Sequence, residues 1–238
     1  MKALLFSSDF TSLDAISELE GLVGKPAKEI KFAVILDAAS VEYGGNSYFL
    51  EMLNYIDDKF GGFEWVNLLA LDLDKIEERL MANDAIYCCG GTSSYLMSVL
   101  DKSGATEILP KILETRVWCG SSAGSMVLGH ASSDKLARDL WGETSYEEKN
   151  DWGVERYMEL APICLLAHLY GGDLSQDPRD ETVIENSKTM SVPVYALSDW
   201  SAVVINGEDI KVIGTQWSIL EDGRIYENNN EMREYGEL

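Results

Sequence analysis

Short, continuously apolar runs alternate with helical periods through the first half of this chain, and this alternation restricts the fold more than any other feature. The runs that predict strands are Lys2–Phe6, Lys31–Leu36, Glu64–Leu69, Ala85–Cys89 and Val117–Cys119. The segments with helical spacing are residues 13–22, Tyr48–Lys59, Asp74–Met81, Tyr95–Lys102, Thr106–Thr115 and Ala123–Leu128. Apolar strands separated by helices form a parallel sheet that is covered on both faces. The sequence therefore predicts a doubly wound, flavodoxin-like α/β fold with a largely parallel sheet.

The last third of the chain differs, because its predicted strands are short and follow one another without helices. They are Val192–Leu197, Ala202–Ile205, Ile210–Ile213, Gln216–Leu220 and Arg224–Tyr226. Turn signals such as Asn206-Gly207 and Asp222-Gly223 separate them, so we expect an antiparallel meander that closes the sheet edge. Residues 132–153 are polar and acidic and predict loops with short helical pieces. No linker or repeat interrupts the chain, and one domain over residues 1–238 is expected.

The net charge of −22, from 19 Lys and Arg against 41 Asp and Glu, limits the classes of partner. A field of this sign repels phosphate backbones and anionic lipid surfaces, so we expect neither nucleic-acid nor membrane binding. No run approaches the roughly 20 apolar residues that span a bilayer. The apolar N-terminus ends at Ser7, which is too soon for a signal peptide. A cytoplasmic location is therefore expected.

The cysteines argue against a metal site. All of them lie in apolar runs, and no C-x-x-C pattern occurs; they are Cys88, Cys89, Cys119 and Cys164. Two adjacent cysteines cannot supply the paired loops of a zinc site. The pattern predicts buried thiols in the core rather than metal ligands.

The stretch Val117–Gly129 predicts a strand, a sharp turn and a helix. The turn has the sequence Gly120-Ser121-Ser122-Ala123-Gly124. In a G-x-S-x-G turn the serine has strained dihedral angles, and its small neighbours let the strand turn sharply into the helix. Backbone N–H groups at the helix start favour negative charge that develops there. Ser122 is the candidate nucleophile; the alternative is a Gly-lined turn in which it only caps the helix. Ser121 and Ser125 do not fit the spacing, and we interpret them as a turn residue and a helix-surface residue.

Only two histidines are available to activate a serine, His130 and His168. His130 lies eight residues along the predicted helix from Ser122, about 12 Å up its axis at about 1.5 Å per residue. His168 follows the strand-like run Ala161–Ala167 and precedes a Gly-containing loop, which is where sites of α/β proteins collect. His168 is therefore the candidate base, against the alternative of a purely structural histidine.

Asp199 is the best-placed carboxylate to orient that histidine, because it ends the apolar run Val192–Ser198. Three other carboxylates could take this role but lie in the loop after His168, where we interpret them as charges exposed to solvent; they are Asp173, Asp177 and Asp180. The order Ser…His…Asp differs from the Ser…acid…His order of α/β-hydrolases and argues against that fold.

Three blocks of sequence carry a family resemblance. They are Cys89-Gly90-Gly91-Thr92-Ser93-Ser94-Tyr95-Leu96, Gly120-Ser121-Ser122-Ala123-Gly124 and Tyr195-Ala196-Leu197-Ser198-Asp199. Together with His168 between the last two, they resemble the Gly-rich turn, nucleophile elbow and acid-bearing strand end of the dipeptidase E (α-aspartyl dipeptidase) family. These proteins are relatives of cyanophycinase within the class I glutamine amidotransferase-like superfamily.

The resemblance implies a serine peptidase that needs no cofactor, with the backbone N–H groups of Gly91 and Ala123 as its oxyanion hole. It also implies a small peptide substrate, with Asp-X dipeptides as one possibility. An aspartyl side chain there would need an arginine clamp, and Arg179 is the candidate, unless it pairs with Asp180 at the surface.

The sequence departs from the dipeptidase E pattern at four positions. Cys89 and Thr92 replace residues that tend to be Gly and Asn, Ala167 replaces the usual Pro before the histidine, and Asp199 replaces Glu. The alternatives are hydrolysis of β-aspartyl peptides, an esterase or amidase activity, and a non-catalytic binding protein on the same fold. Glutamine amidotransfer is disfavoured, because that chemistry uses a cysteine where this chain has Ser122.

Overall fold

The structure is a computed structural model that describes residues 1–10, 13–42, 47–142, 152, 154–169 and 177–228. Its strands are β1 (Lys2–Phe6), β2 (Phe32–Ile35), β3 (Phe63–Trp65), β4 (Ala85–Cys88), β5 (Val117–Ser121), β6 (Cys164–Leu166), β7 (Val194–Leu197), β8 (Ser201–Asn206), β9 (Asp209–Gly214), β10 (Trp217–Glu221) and β11 (Arg224–Asn228). Its α-helices are α1 (Leu13–Val23), α2 (Ser47–Lys59), α3 (Leu73–Ala82), α4 (Ser93–Lys102), α5 (Ala105–Ile112), α6 (Ala123–Met126), α7 (Ser133–Leu136) and α8 (Glu181–Asn186).

The main sheet has seven strands in the order β3-β2-β4-β5-β1-β8-β9. The first five run parallel, and β8 and β9 extend the sheet as an antiparallel hairpin. Parallel strands need crossover connections, and the helices of the first half supply them. The predicted α/β fold with a largely parallel sheet is confirmed. Strands β1 and β5 are neighbours in this sheet, with Phe6 opposite Ser121, so their carboxyl ends meet at one edge.

A second sheet has four strands in the order β11-β10-β7-β6. Strand β6 pairs with β7 in parallel, and β10 pairs with both β7 and β11 in antiparallel fashion. The predicted C-terminal meander is thus divided between two sheets. Turn signals such as Asn206-Gly207 fix a local hairpin, but they do not determine which other strand that hairpin joins.

The core consists of two apolar clusters. The larger surrounds the main sheet, and all residues of β2 and β4 are buried in it. The smaller lies at the second sheet and includes Leu166, Val194 and Leu220. The four cysteines are buried and free, as predicted.

Helix α6 is only one turn long, whereas the sequence predicted a helix over Ala123–Leu128. The carbonyl groups of Val127 and Leu128 accept hydrogen bonds from Met158 and Leu160 instead of continuing the helix. His130 therefore does not lie on the same helix as Ser122.

In residues 132–142 the chain forms α7 and a π-helical turn, which agrees with the predicted short helical pieces; 143–151 and 153 lie outside the described residues. Among the described helices, none combines the length and apolar character needed to cross a membrane.

Candidate active site

Ser122 occupies the sharp turn between β5 and α6. Its dihedral angles, φ 46° and ψ −112°, are unusual for a residue with a side chain. The flanking glycines permit the turn, because a Cβ atom at Gly120 would lie 2.4 Å from the Gly124 carbonyl oxygen. A Cβ atom at Gly124 would lie 2.0 Å from the Cys88 carbonyl oxygen. The strand, strained serine and helix that the motif predicted are all present.

The turn is held in place by buried hydrogen bonds. The Ser122 N–H donates to the Phe6 carbonyl over 3.0 Å, and the Trp118 indole N–H donates to the Gly124 carbonyl over 2.8 Å. The Ser125 hydroxyl lies 2.7 Å from the Phe6 carbonyl oxygen and 2.6 Å from the Gly120 carbonyl oxygen, either of which can accept its proton. Ser125 is fully buried, so its interpretation as a helix-surface residue is wrong; the single turn of α6 is buried throughout.

His168 lies two residues after β6, and its imidazole reaches the serine turn. Its Nε2 atom is 2.9 Å from Ser122 Oγ. The His130 N–H instead donates to the carbonyl of Ile163, the residue before β6. Of the two histidines, the structure places His168 beside Ser122.

Asp199 lies two residues after β7, the parallel neighbour of β6. Its Oδ1 atom is 2.5 Å from His168 Nδ1. An ionised carboxylate only accepts hydrogen bonds, so in the tautomer with its proton on Nδ1 the imidazole donates to Asp199 and can accept from Ser122 at Nε2. The rival Asp177 pairs with Arg179, Asp180 caps α8 by accepting from the Thr182 N–H, and Asp173 lies outside the described residues.

The backbone of His168 is also constrained. Its φ is 62°, in the left-handed region that side chains disfavour. Its N–H donates to Ser7 Oγ over 2.7 Å, and the Ser7 hydroxyl donates to the Leu197 carbonyl over 3.1 Å. Sequence reasoning missed Ser7, although its place directly after β1 is a signal, because α/β sites gather at the carboxyl ends of strands.

The Gly-rich turn after β4 lies against Ser122. A Cβ atom at Gly90 would lie 3.2 Å from the Ser122 Cβ atom. Gly91 has φ 131°, and a Cβ atom there would lie 2.4 Å from the Ala38 carbonyl oxygen. Within the described part of the chain, the N–H groups of Gly91 and Ala123 are not used in any hydrogen bond. Both remain able to donate to a substrate oxygen.

The surroundings of the turn are acidic. The buried Tyr87 hydroxyl donates to Asp9 over 2.6 Å, and the Thr92 hydroxyl donates to Glu42. Burial and the neighbouring carboxylates of Glu42 and Asp9 raise the pKa of Tyr48 to about 12. Burial likewise raises the pKa of Cys89 to about 12, so this nearby thiol stays protonated at neutral pH.

Arg179 is engaged in an ion pair. Its Nε and one terminal nitrogen each lie 2.8 Å from an oxygen of Asp177, and its side chain is 55% exposed. The surface pairing considered from the sequence is present, with Asp177 rather than Asp180 as the partner. A substrate-binding role for Arg179 stays a prediction. In the described ranges, no three metal-ligating side chains lie close enough together to hold a metal ion.

Comparison with known sequences gives one family. The model of peptidase family S51 matches residues 4–213. An uncharacterized peptidase of Listeria monocytogenes, Lmo0363, is 24% identical over 88% of the chain and 97% of its own length. An uncharacterized peptidase of Listeria innocua, Lin0382, is 27% identical over 58% of the chain; that alignment spans 63% of the relative, just under two thirds of its length.

Solved structures show the same fold. The crystal structure of a candidate peptidase E protein from Listeria monocytogenes has a TM-score of 0.66 at 19% identity, over 90% of this chain and 98% of that one. A peptidase from an acI-B1 Actinobacterium has a TM-score of 0.62 at 15% identity, over 97% and 95% of the two chains. The resemblance read from the three sequence blocks is confirmed by the family match.

Proposed function

The chain belongs to peptidase family S51, and on that premise we propose that it hydrolyses short peptides through an acyl-enzyme formed on Ser122. The observation that carries the proposal is the contact series from Ser122 Oγ to His168 Nε2, 2.9 Å, and from His168 Nδ1 to Asp199 Oδ1, 2.5 Å. Both distances are within hydrogen-bond reach, which is the geometric requirement for a nucleophile, its base and an orienting acid. The first distance favours hydrolysis over the non-catalytic alternative, in which the serine and histidine would lie apart.

In the proposed reaction, Ser122 Oγ attacks the scissile carbonyl carbon while its proton passes to His168 Nε2. Asp199 stabilises the imidazolium through the Nδ1 proton. The carbonyl oxygen, now negative, accepts hydrogen bonds from the N–H groups of Gly91 and Ala123. Removing one such donor typically costs about 3 kcal/mol in the transition state.

The imidazolium then gives its proton to the leaving amine, the C–N bond breaks, and the acyl group remains on Ser122. A water molecule attacks this ester with His168 again as the base, which releases the acid and restores the hydroxyl. The His168 side chain is 43% exposed and Ser122 is partly exposed, so substrate and water can reach both.

We propose small peptides as the substrate class and Asp-X dipeptides as the first to test. An acidic first residue would require Arg179 to exchange its bond with Asp177 for one with the substrate, and the nearby Asp9 and Glu42 would oppose such a residue. A panel of Asp-X, β-Asp-X and neutral dipeptides with simple esters, assayed on wild type and Arg179→Ala, separates these cases. A role for Arg179 requires that its loss impair the acidic substrates alone.

The decisive experiment is labelling with a fluorophosphonate, which reacts covalently with an activated serine. We expect wild type to incorporate one equivalent and Ser122→Ala none. The matched control is Ser17→Ala, which removes an exposed hydroxyl bonded to the Asp14 carbonyl on α1 and should label as wild type does. Absence of label on wild type, or equal labelling of Ser122→Ala, would refute the nucleophile.

A further inference from the structure

Ser7 is a buried residue at which the two sheets meet. It has no exposed surface and directly follows β1, the strand beside β5 in the main sheet. Its N–H donates to the Ser201 carbonyl over 3.1 Å. Its hydroxyl accepts from the His168 N–H and donates to the Leu197 carbonyl. One side chain thus joins the end of β1 to the loop after β6 and to the end of β7.

These connections matter because the parts of the site come from different sheets. Ser122 follows β5 of the main sheet, whereas His168 and Asp199 follow β6 and β7 of the second sheet. The Leu197 carbonyl also accepts from the Leu169 N–H over 2.9 Å. The Ser7 hydroxyl therefore ties the backbone that carries the imidazole and carboxylate to the strand that anchors the serine turn.

The His168 backbone needs such a tie. A left-handed conformation is unfavourable at a residue with a side chain and persists only where the surroundings impose it. The ring is 43% exposed, so packing alone does not fix its direction. The Ser7 Oγ atom satisfies the N–H of this strained residue, and the resulting orientation directs Nε2 towards Ser122.

We propose that Ser7 is a positioning residue for the reaction. Its hydroxyl holds the strained His168 backbone in the position that brings the imidazole to Ser122. This proposal rests on the proposed function. Loss of the hydroxyl leaves the His168 N–H without its acceptor and releases the loop from β1. The distance from Nε2 to Ser122 Oγ then varies, and a displacement of about 1 Å can lower a rate by about 100-fold.

The test compares Ser7→Ala and Ser7→Cys with wild type, using the full chain and a fluorophosphonate probe. A thiol accepts hydrogen bonds weakly, so the cysteine variant should retain part of the effect. Ser187→Ala is the matched control, because Ser187 is also buried and its hydroxyl accepts from the Gly223 N–H and donates to the Ile184 carbonyl. The Ser187→Ala variant therefore loses the same kind of hydrogen bond, but beside α8 rather than beside Ser122, His168 and Asp199.

For Ser7→Ala we expect the maximal labelling rate to fall about 10- to 100-fold with the half-saturating probe concentration unchanged. Ser7→Cys should be intermediate, and Ser187→Ala should label as wild type does. Amide hydrogen exchange at His168, followed by NMR, should accelerate in Ser7→Ala and not in Ser187→Ala. Neither a general loss of stability nor a change in probe binding gives this combination.

The possible failures can be distinguished. If wild type does not label, the proposed function fails and the positioning role fails with it. If wild type labels and Ser7→Ala labels within about twofold of it, the function stands and the role of Ser7 is refuted. If Ser7→Ala does not fold, the near-isosteric Ser7→Cys decides, and its labelling at the wild-type rate is the refuting result.

Discussion

The Nε2 atom of His168 lies 2.9 Å from Ser122 Oγ, although the strands before the two residues belong to different sheets. The serine turn follows β5 of the main sheet, and the histidine follows β6 of the second. Short parallel pairing of β6 with β7 places Asp199 behind the imidazole. The site thus depends on how the second sheet is held against the end of β1.

Replacing Asp199 by Asn tests the orienting role of the carboxylate. The amide can donate a hydrogen bond to Nδ1, which moves the ring proton to Nε2 and removes the acceptor that Ser122 needs. We expect the labelling rate and any peptide turnover to fall about 10³- to 10⁴-fold, with the fold retained. The control is Asp180→Asn, since Asn caps a helix about as well as Asp. Asp199→Asn activity above a tenth of wild type would contradict the assignment.

Gly91→Ala tests the oxyanion turn. A Cβ atom there would lie 2.4 Å from the Ala38 carbonyl oxygen, and φ 131° is unfavourable for alanine. The turn must shift, so the Gly91 N–H moves from the position in which we propose that it binds the oxyanion. We expect a loss of about 100-fold or more in turnover of the substrate that the dipeptide panel identifies, alongside lower thermal stability.

The control for this turn is Gly24→Ala. Gly24 also has a positive φ, 79°, but open space surrounds its missing Cβ atom and it lies just after α1. This variant bears a similar backbone strain and should keep full turnover. Equal losses in the two variants would mean that the Gly91 effect is one of stability alone.

The thiols provide a prediction about which nucleophile operates. Burial raises the pKa of Cys89 to about 12 and that of Cys164 to about 11. The thiolate fraction at pH 8 is then about 10⁻³ or less, and the sulfur atoms are inaccessible. Ellman's reagent should find no reactive thiol in the native protein and four after unfolding. Rapid native modification that abolishes activity would point to a cysteine mechanism.

The residues of the candidate site could be picked out from the sequence because each has a local or compositional signature. A strand followed by small residues around a serine indicates a strained turn, and the presence of only two histidines left His168 as the candidate base. Asp199 was predicted as the orienting acid from its position at a strand end. These signals are independent of how the sheets pair.

Other features depended on long-range packing and could not be predicted in the same way. Ser7 and Ser125 are single hydroxyls without a motif, and their roles arise from carbonyl groups at Leu197 and Phe6, far away in sequence. The division of the C-terminal strands between two sheets has no local signal either, because hairpin turns fix neighbours and not sheet membership. The helix after Ser122 was overestimated because the segment around Met158 competes for its carbonyl groups.

Asp37 should make the fold less stable as the pH rises. Burial raises the pKa of its carboxyl group against the opposing hydrogen bonds from the N–H groups of Leu68 and of Asp37 itself. Its Oδ2 atom is buried and has no hydrogen-bond partner among the described residues. The folded protein therefore holds the proton more tightly than the unfolded chain, so the contribution is present at low pH and is lost as the pH rises through the folded pKa.

Asp37→Asn removes this dependence, because the neutral amide can keep an oxygen towards the two backbone N–H groups. We expect the variant to melt a few degrees higher than wild type at pH 7, and the difference to shrink towards pH 4.

Asp84→Asn is the control of opposite sign. Hydrogen bonds from the Lys25 ammonium and the Lys31 N–H outweigh the effect of burial on Asp84 and lower its pKa. Stability from Asp84 is present above the unfolded pKa and is lost as the pH falls through the folded one, so its variant should melt lower at pH 7. Melting curves of the three proteins at both pH values provide the measurement, and a lower melting temperature for Asp37→Asn at pH 7 would contradict the unfavourable burial of that charge.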